Sequence, residues 1–187
     1  TAGDDPDVLV ALNPAALMVN LSRLKPGGMI IVDSGTFTDR NLKKAGYLTN
    51  PLEDQSLEAY TVLEIDITKL VLESVKELGL SQKEGLRCKN FWVLGLVYWI
   101  YGRDRGDTID WLKRKFAKRP EIADANIAAL NAGHIYGEAS ETAGISELYS
   151  IPAAEMSKGL YRTVTGGEAL AWGLVAGAEL ANLKVFF

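Results

Sequence analysis

Two short apolar runs, Val8-Leu9-Val10-Ala11-Leu12 and Met29-Ile30-Ile31-Val32, flank residues 13–28, which read as a helix with clear signals at both ends. A continuous apolar run of four or five residues is the pattern of a strand buried on both faces. Asn13 is a good N-cap and Pro14 suits the first helical position, so the spacing predicts a helix over Pro14 to Leu24. Lys25-Pro26-Gly27-Gly28 is a stop and a turn. Val8 to Val32 is therefore one β-α-β unit, and its short connections favour a right-handed parallel crossover. Parallel strands need cover on both faces, which points to an α/β protein with an open parallel sheet.

The rest of the chain extends that pattern. Asp33 to Ala59 is polar and reads as a loop. Tyr60 to Ile65 reads as a third strand, followed by an amphipathic helix showing Ile67, Leu70, Val71, Val75 and Leu78, which Gly79 is placed to end. Phe91 to Tyr101 is apolar nearly all round and predicts a buried helix. Asp107-Thr108 can cap a helix with Ile109, Leu112 and Phe116 inward. Pro120 opens another, with Ile122, Ala125, Ala129 and Leu130 inward, expected to end near Gly133 or Gly137. Residues 138–160 have no sustained period and read as a linker. Thr165-Gly166-Gly167 then introduces a helix from Glu168 to Asn182, whose Ala169, Gly173, Gly177 and Ala181 form a smooth stripe suited to close backbone approach. Residues from about 161 read as the first strand and helix of a second α/β domain, with Leu183 to Phe187 as a further strand. An acidic start running straight into a strand, and an apolar strand at the end, predict that the chain continues at both ends.

Composition excludes several functions. The longest apolar run has 11 residues, Phe91 to Tyr101, against about 20 for a membrane span. Lys and Arg total 20 against 24 Asp and Glu, which argues against a broad nucleic-acid surface. With one cysteine, Cys88, and one histidine, His134, the chain cannot by itself supply a tetrahedral zinc site or a cysteine-held iron–sulfur cluster. A single free thiol fits a reducing cytoplasm.

In open α/β sheets ligands sit beyond the carboxyl ends of the strands, which directs attention to Asn13 and to Asp33-Ser34-Gly35-Thr36. Asn13 stands at a helix N-terminus, where an anion is favoured, or is simply its cap. Asp33 could hold a ribose, yet no glycine-rich fingerprint precedes it. Gly166 and Gly167 could let a helix N-terminus approach a phosphate, or merely close a turn; no P-loop is present. His134 is followed by Ser140 and Ser146, but there is no G-x-S-x-G elbow. Arg87 and Lys89 would lower the pKa of Cys88 if it were exposed, whereas the apolar helix beside it favours burial. Phe91, Trp92, Tyr98, Trp99 and Tyr101 read as core or subunit interface, and Lys113, Arg114, Lys115, Lys118 and Arg119 as a solvated or docking face. Asn126 lies on an apolar helical face and needs partners if buried, expected from the backbone of a neighbouring loop. No residue emerges as catalytic and none as a metal ligand.

Four stretches together carry a resemblance: Asp7 to Leu17, Leu24 to Asp33, Lys89-Asn90-Phe91 with Gly95, and Lys118 to Asn126 with Gly133. In order and spacing they resemble the gamma-type domain of the 2-oxoacid:ferredoxin oxidoreductases over about residues 5–137. Thr165 to Ala171 with Gly173 resembles the start of the thiamine-diphosphate pyrimidine-binding domain of the same enzymes, with Gly166-Gly167-Glu168-Ala169 where the family usually has Gly-Asn-Glu-Ala. The glycine-rich opening of the gamma domain and the Tyr-Pro-Ile-Thr-Pro segment of the pyrimidine domain are not in this sequence.

The resemblance implies a gamma-type domain over 1–137, a linker over 138–160 and the opening of a pyrimidine-type domain over 161–187. It implies an alpha-subunit segment of an enzyme that oxidatively decarboxylates a 2-oxoacid, with 2-oxoglutarate favoured by domain order, to an acyl-CoA and reduced ferredoxin. It implies thiamine diphosphate, coenzyme A and an iron–sulfur cluster in the whole complex, none of them held by this segment alone. A beta subunit and ferredoxin are the implied partners. The other readings are a stand-alone α/β ligand-binding or interaction module and, more remotely, a piece of a nicotinamide dehydrogenase.

Overall fold

In the computed structural model, residues 5–140, 149–152 and 154–184 are described. The chain divides into two compact units, Thr1–Ile151 and Pro152–Phe187.

The first unit is built on three parallel strands in the order β1 (Val8–Ala11), β2 (Met29–Asp33), β3 (Thr61–Ile65). Val8 pairs with Met29, and Met29 with Thr61. Successive side chains of a strand point to opposite faces. On β2 this sends Met29 and Ile31 to one layer and Ile30 and Val32 to the other, and all five of its residues are buried. The second face is covered by α1 (Pro14–Asn20) and α2 (Asp39–Ala45), which bring Leu17 and Leu42 onto Ile30 and Val32. The first face is covered by α3 (Ile67–Ser74), α5 (Lys89–Ile100) and α7 (Pro120–Ser140), with Ile67, Val71, Trp92, Leu96 and Ala129 in its core. Between them come α4 (Gln82–Leu86) and α6 (Gly106–Lys115). The expected α/β architecture with an open parallel sheet is what the chain adopts.

Details differ from the sequence expectations. The stretch after β2 is not loop throughout: a 3-10 turn, Ser34–Thr36, and α2 lie within it. Polar Asp39-Arg40-Asn41 hides α2 from a hydrophobic-period reading, since Leu42 is its one buried residue. Gly79 ends the helical stretch after β3 in a left-handed conformation, φ 68°, as its position predicted. The α6 helix starts one residue before Asp107; Asp104 Oδ2 accepts from the Gly106 N–H at 2.8 Å, so Asp107 lies inside the first turn.

The largest departure is α7, which runs through Gly133 and Gly137 to Ser140. These glycines do not end the helix; they let α5 come close. A methyl group on Gly133 would overlap the Trp92 carbonyl, and one on Gly95 of α5 would overlap the Leu130 carbonyl. The two helices thus meet backbone to backbone through reciprocal glycines. Interior glycine costs a helix about 1 kcal/mol relative to alanine, and here the packing offsets it.

The second unit contains α8 (Gly166–Leu180). Thr165 caps it, and Asn182, φ 53°, closes its far end while the Leu183 N–H reaches the Ala178 carbonyl at 2.8 Å. No residue of α8 is buried, and a Cβ on Gly173 or Gly177 would meet nothing within 4 Å. The strand expected from about 161 is absent: residues 161–165 form none, because a strand needs a neighbouring edge and this unit holds no sheet among the described residues. Leu183 and Lys184 are not in a strand, and residues 185–187 of the expected final strand lie outside the described residues, as do 141–148 and 153 of the expected linker and with them Ser146.

Candidate functional site

The carboxyl ends of the three strands converge on Asp33, the last residue of β2. Strand alternation turns its side chain toward the layer that holds α3 and α5. There it is fully buried and fully engaged. Its Oδ1 accepts the Thr68 backbone N–H at 3.1 Å, and its Oδ2 accepts the Thr68 hydroxyl at 2.7 Å and the Lys89 ammonium at 2.6 Å. Lys89 Nζ also donates to Thr68 Oγ1 at 2.7 Å, and its side chain is 17% exposed. A buried charge must be paired and hydrogen-bonded, and this one is both. The arrangement clamps the end of β2 to the first turns of α3 and α5. It leaves Asp33 sealed from solvent rather than offered to a ribose.

The surrounding loops are tied to one another. The Asn13 Oδ1 accepts the Ala16 N–H at 2.9 Å, so this exposed residue caps α1. Thr36 Oγ1 sits 3.1 Å from the Leu12 carbonyl and 2.8 Å from that of Asp33, joining the ends of β1 and β2. Half-buried Ser34 opens the 3-10 turn, and its carbonyl accepts from the Phe37 N–H. Asp66 caps α3 through the Lys69 N–H at 3.0 Å. A Cβ on Gly35 would stand 2.6 Å from Asp66 Oδ1, so the two loops nearly touch.

Asn13, Asp33 and Ser34 therefore share one edge of the first unit. Gly166 and Gly167 belong to the second, as the exposed first residues of α8. There Glu168 Oε2 accepts both the N–H and the hydroxyl of Thr165, while Thr165 Oγ1 accepts the Glu168 N–H. These bonds, the backbone one foremost, hold the Glu168 carboxyl below its usual range. The first turn of α8 is thus closed by its own capping box.

Thr68 and Lys89 are the two site residues that sequence reasoning missed. A signal for Lys89 exists: a cation opening a helix as apolar as α5 needs a buried partner, and Asp33 ends the most apolar strand. Because its ammonium is committed to Asp33, Lys89 is not available to activate Cys88. That thiol is buried, donates weakly to the Glu84 carbonyl at 3.9 Å, and is pushed up by burial. His134 Nδ1 is buried with no hydrogen-bond partner among the described residues. Burial, and then Arg105, lower the His134 pKa, partly offset by Glu138. Of the aromatic cluster, Trp92 and Trp99 are core, and Trp92 packs on Tyr136 at 5.3 Å. The basic run is exposed, with Lys115 Nζ 4.4 Å from the centre of the Trp111 ring. Asn126 is buried as expected, but its Nδ2 donates to the Ile122 carbonyl of its own helix at 2.8 Å, not to a loop. Among the described residues no three His, Cys, Asp or Glu side chains come together in a way that could hold a metal ion, and no helix is long and apolar enough to cross a membrane.

Fold and site together define a parallel α/β framework domain whose strand-end charges are spent on internal cohesion. Residues 1–136 match the family described as pyruvate ferredoxin/flavodoxin oxidoreductase, and the chain belongs to that family. Over 185 residues, 99% of its length, it is 50% identical to the 2-oxoglutarate oxidoreductase subunit KorA of Mycobacterium tuberculosis (strain ATCC 25618 / H37Rv). It spans 28% of the length of that curated relative. It is also similar to a solved 2-oxoglutarate:ferredoxin oxidoreductase from Magnetococcus marinus with 2-oxoglutarate, coenzyme A and succinyl-CoA bound. That match has a TM-score of 0.52 at 24% identity, covers 74% of this chain and 21% of that one, and speaks to the fold.

Proposed function

We propose that this chain is the alpha-subunit segment of a 2-oxoglutarate:ferredoxin oxidoreductase, serving as framework and subunit interface. The enzyme would convert 2-oxoglutarate, coenzyme A and two oxidised ferredoxins to succinyl-CoA, carbon dioxide, a proton and two reduced ferredoxins. The observation that carries this reading is the 50% identity to the KorA subunit across nearly the whole chain. Family membership favours it over a stand-alone module.

The residues here suit a supporting role. A cluster of the family type takes about four thiolates, and Cys88 is the single cysteine and is buried. Thiamine diphosphate, when bound to such an enzyme, supplies the electron sink for decarboxylation. Glu168 at the start of α8 is engaged by Thr165 in a capping box, and in this reading the segment contributes structure rather than cofactor ligands. A gamma-type domain over 1–137, a linker over 138–160 and the opening of a pyrimidine-type domain over 161–187 complete the reading, with a beta subunit and ferredoxin as partners and a cytoplasmic location.

The test is to express the full-length gene with its neighbours anaerobically and assay ferredoxin reduction with a panel of 2-oxoacids and coenzyme A. A coloured complex with 2-oxoglutarate as the best substrate and succinyl-CoA as product is expected. Preference for pyruvate would overturn the substrate, and no 2-oxoacid oxidation would overturn the reading.

A further inference from the structure

The end of α6 and the turn after it carry Lys113, Arg114, Lys115 and Lys118, all exposed, with no acidic residue from 111 to 120. Arg119 continues the run, but Glu121 holds it at 3.1 Å and Glu84 lies near it, so its charge is balanced. The other four make no ion pair among the described residues, with the exposed Asp110 on the preceding turn or with any other acid. Lys113, Arg114 and Lys115 suit the negative end of the α6 dipole, an effect confined to the last turn. That effect accounts neither for Lys118, beyond the helix, nor for Trp111, which stays 42% exposed beside the cations. The patch is fixed from beneath: Leu112 is fully buried, and Phe91 of α5 packs on the Trp111 ring with centroids 6.5 Å apart.

An exposed aromatic ringed by unpaired cations is suited to a protein partner of negative charge, since aromatics anchor interfaces and rim charges steer the encounter. Nucleic acid fits less well. Lys115 and Phe91 already occupy the Trp111 ring, so no base can stack there, and the chain as a whole carries more acids than bases. One exposed tryptophan is a small apolar area, which suits a partner that binds weakly and leaves again. In the reaction proposed above, ferredoxin is the protein that must arrive and depart at each turnover. Its cluster, held by about four thiolates, is an anion in both oxidation states and becomes more negative on reduction. The charge of that centre and the charge of this patch are complementary.

We propose that Lys113, Arg114, Lys115 and Lys118, with Trp111 at their edge, form a docking surface that steers and seats the ferredoxin. The proposal rests on the oxidoreductase reading and adds to it the surface that receives the electron carrier. The experiment uses the full-length protein with its copurified subunits and the ferredoxin encoded in the same genome. Lys113→Gln, Arg114→Gln and Lys118→Gln are combined in one variant, and Arg40→Gln, Lys43→Gln and Lys44→Gln, at exposed positions on α2, in a control. Each preparation is assayed with 2-oxoglutarate and coenzyme A, once with ferredoxin and once with methyl viologen, a small acceptor that needs no protein docking. In the patch variant, kcat/KM for ferredoxin should fall about tenfold at low ionic strength, through KM, and the difference from wild type should close at about 0.5 M salt. Methyl viologen rates should be unchanged, and the control should keep wild-type kinetics with both acceptors. Carbodiimide should cross-link ferredoxin carboxylates to Lys113, Lys115 or Lys118 of the wild type, located by peptide mapping. Unchanged ferredoxin kinetics beside normal methyl viologen rates would overturn the docking surface and leave the oxidoreductase reading standing. An equal loss in the control, or a parallel loss with methyl viologen, would also overturn it, the first by showing an effect of net charge alone and the second an effect on the fold. If the wild type reduced neither acceptor with any 2-oxoacid, the reading itself would fall, and the docking surface with it.

Discussion

Asp33 is the residue on which the first unit turns. Its partners stand 35 and 56 positions further along the chain, so their meeting could not be read from spacing. What the sequence did display was the anomaly: an acid closing a strand that is otherwise Met-Ile-Ile-Val. Ribose binding and internal pairing are both answers to it, and only the packing of α3 and α5 decides between them. Removing one partner of a buried ion pair strands the other charge. Asp33→Ala should therefore cost about 3 kcal/mol, while Asp33→Ala combined with Lys89→Met should cost less than the two single changes together. Chemical denaturation of the full-length protein measures both, and an Asp33→Ala change within about 0.5 kcal/mol of wild type would refute the clamp. His134 supplies a pH prediction. Its pKa is lowered in the fold, so the unfolded chain binds the proton more readily. The stabilisation is complete above the unfolded value of about 6.5 and is lost as pH falls through the lower folded value. Wild type should thus lose melting temperature below pH 6.5 more steeply than His134→Gln, and parallel curves would show that another group controls the acid side.

At the scale of elements, legibility followed the strength of the hydrophobic pattern. The unit β1–α1–β2 was readable because its strands are uniformly apolar and its helix is punctuated by Asn13-Pro14 and Gly27-Gly28. The α2 helix was not, since a two-turn helix with one buried leucine has no period to detect. Glycine misled for a different reason. Gly79 and Gly133 look alike in a sequence, yet one adopts φ 68° to stop a helix and the other removes a side chain so that α5 can approach. Local propensity cannot separate these roles, because the second depends on a helix more than thirty residues away. The distinction is testable. Gly133→Ala should gain about 1 kcal/mol of helix propensity but lose about 1–3 kcal/mol or more to overpacking, for a net destabilisation. A rise in melting temperature would mean that α5 and α7 are less closely apposed than their backbones indicate.

For the molecule as a whole, the two units differ in kind. Thr1–Ile151 has layered cores on both faces of its sheet, whereas in Pro152–Phe187 the helix α8 buries none of its residues. Trp172 is 49% exposed, Leu170 66% and Leu180 90%. A segment of under about 40 residues without disulfides or metal does not sustain a fold of its own, and an isolated helix of about 15 residues is marginal in water. The capping box at Thr165 and the closure at Asn182 set the ends of α8 but supply too little to hold it. Its apolar surface is suited to a larger domain, as the pyrimidine-domain reading requires. In the 187-residue chain, then, limited proteolysis should cut within 152–187 first and leave a resistant core near residue 140, and amides of α8 should exchange within seconds. In the full-length protein the same amides should be protected and the Trp172 emission shifted to the blue. Equal protection of α8 in both forms would show that the second unit is self-sufficient, and the case for a larger domain around it would fail.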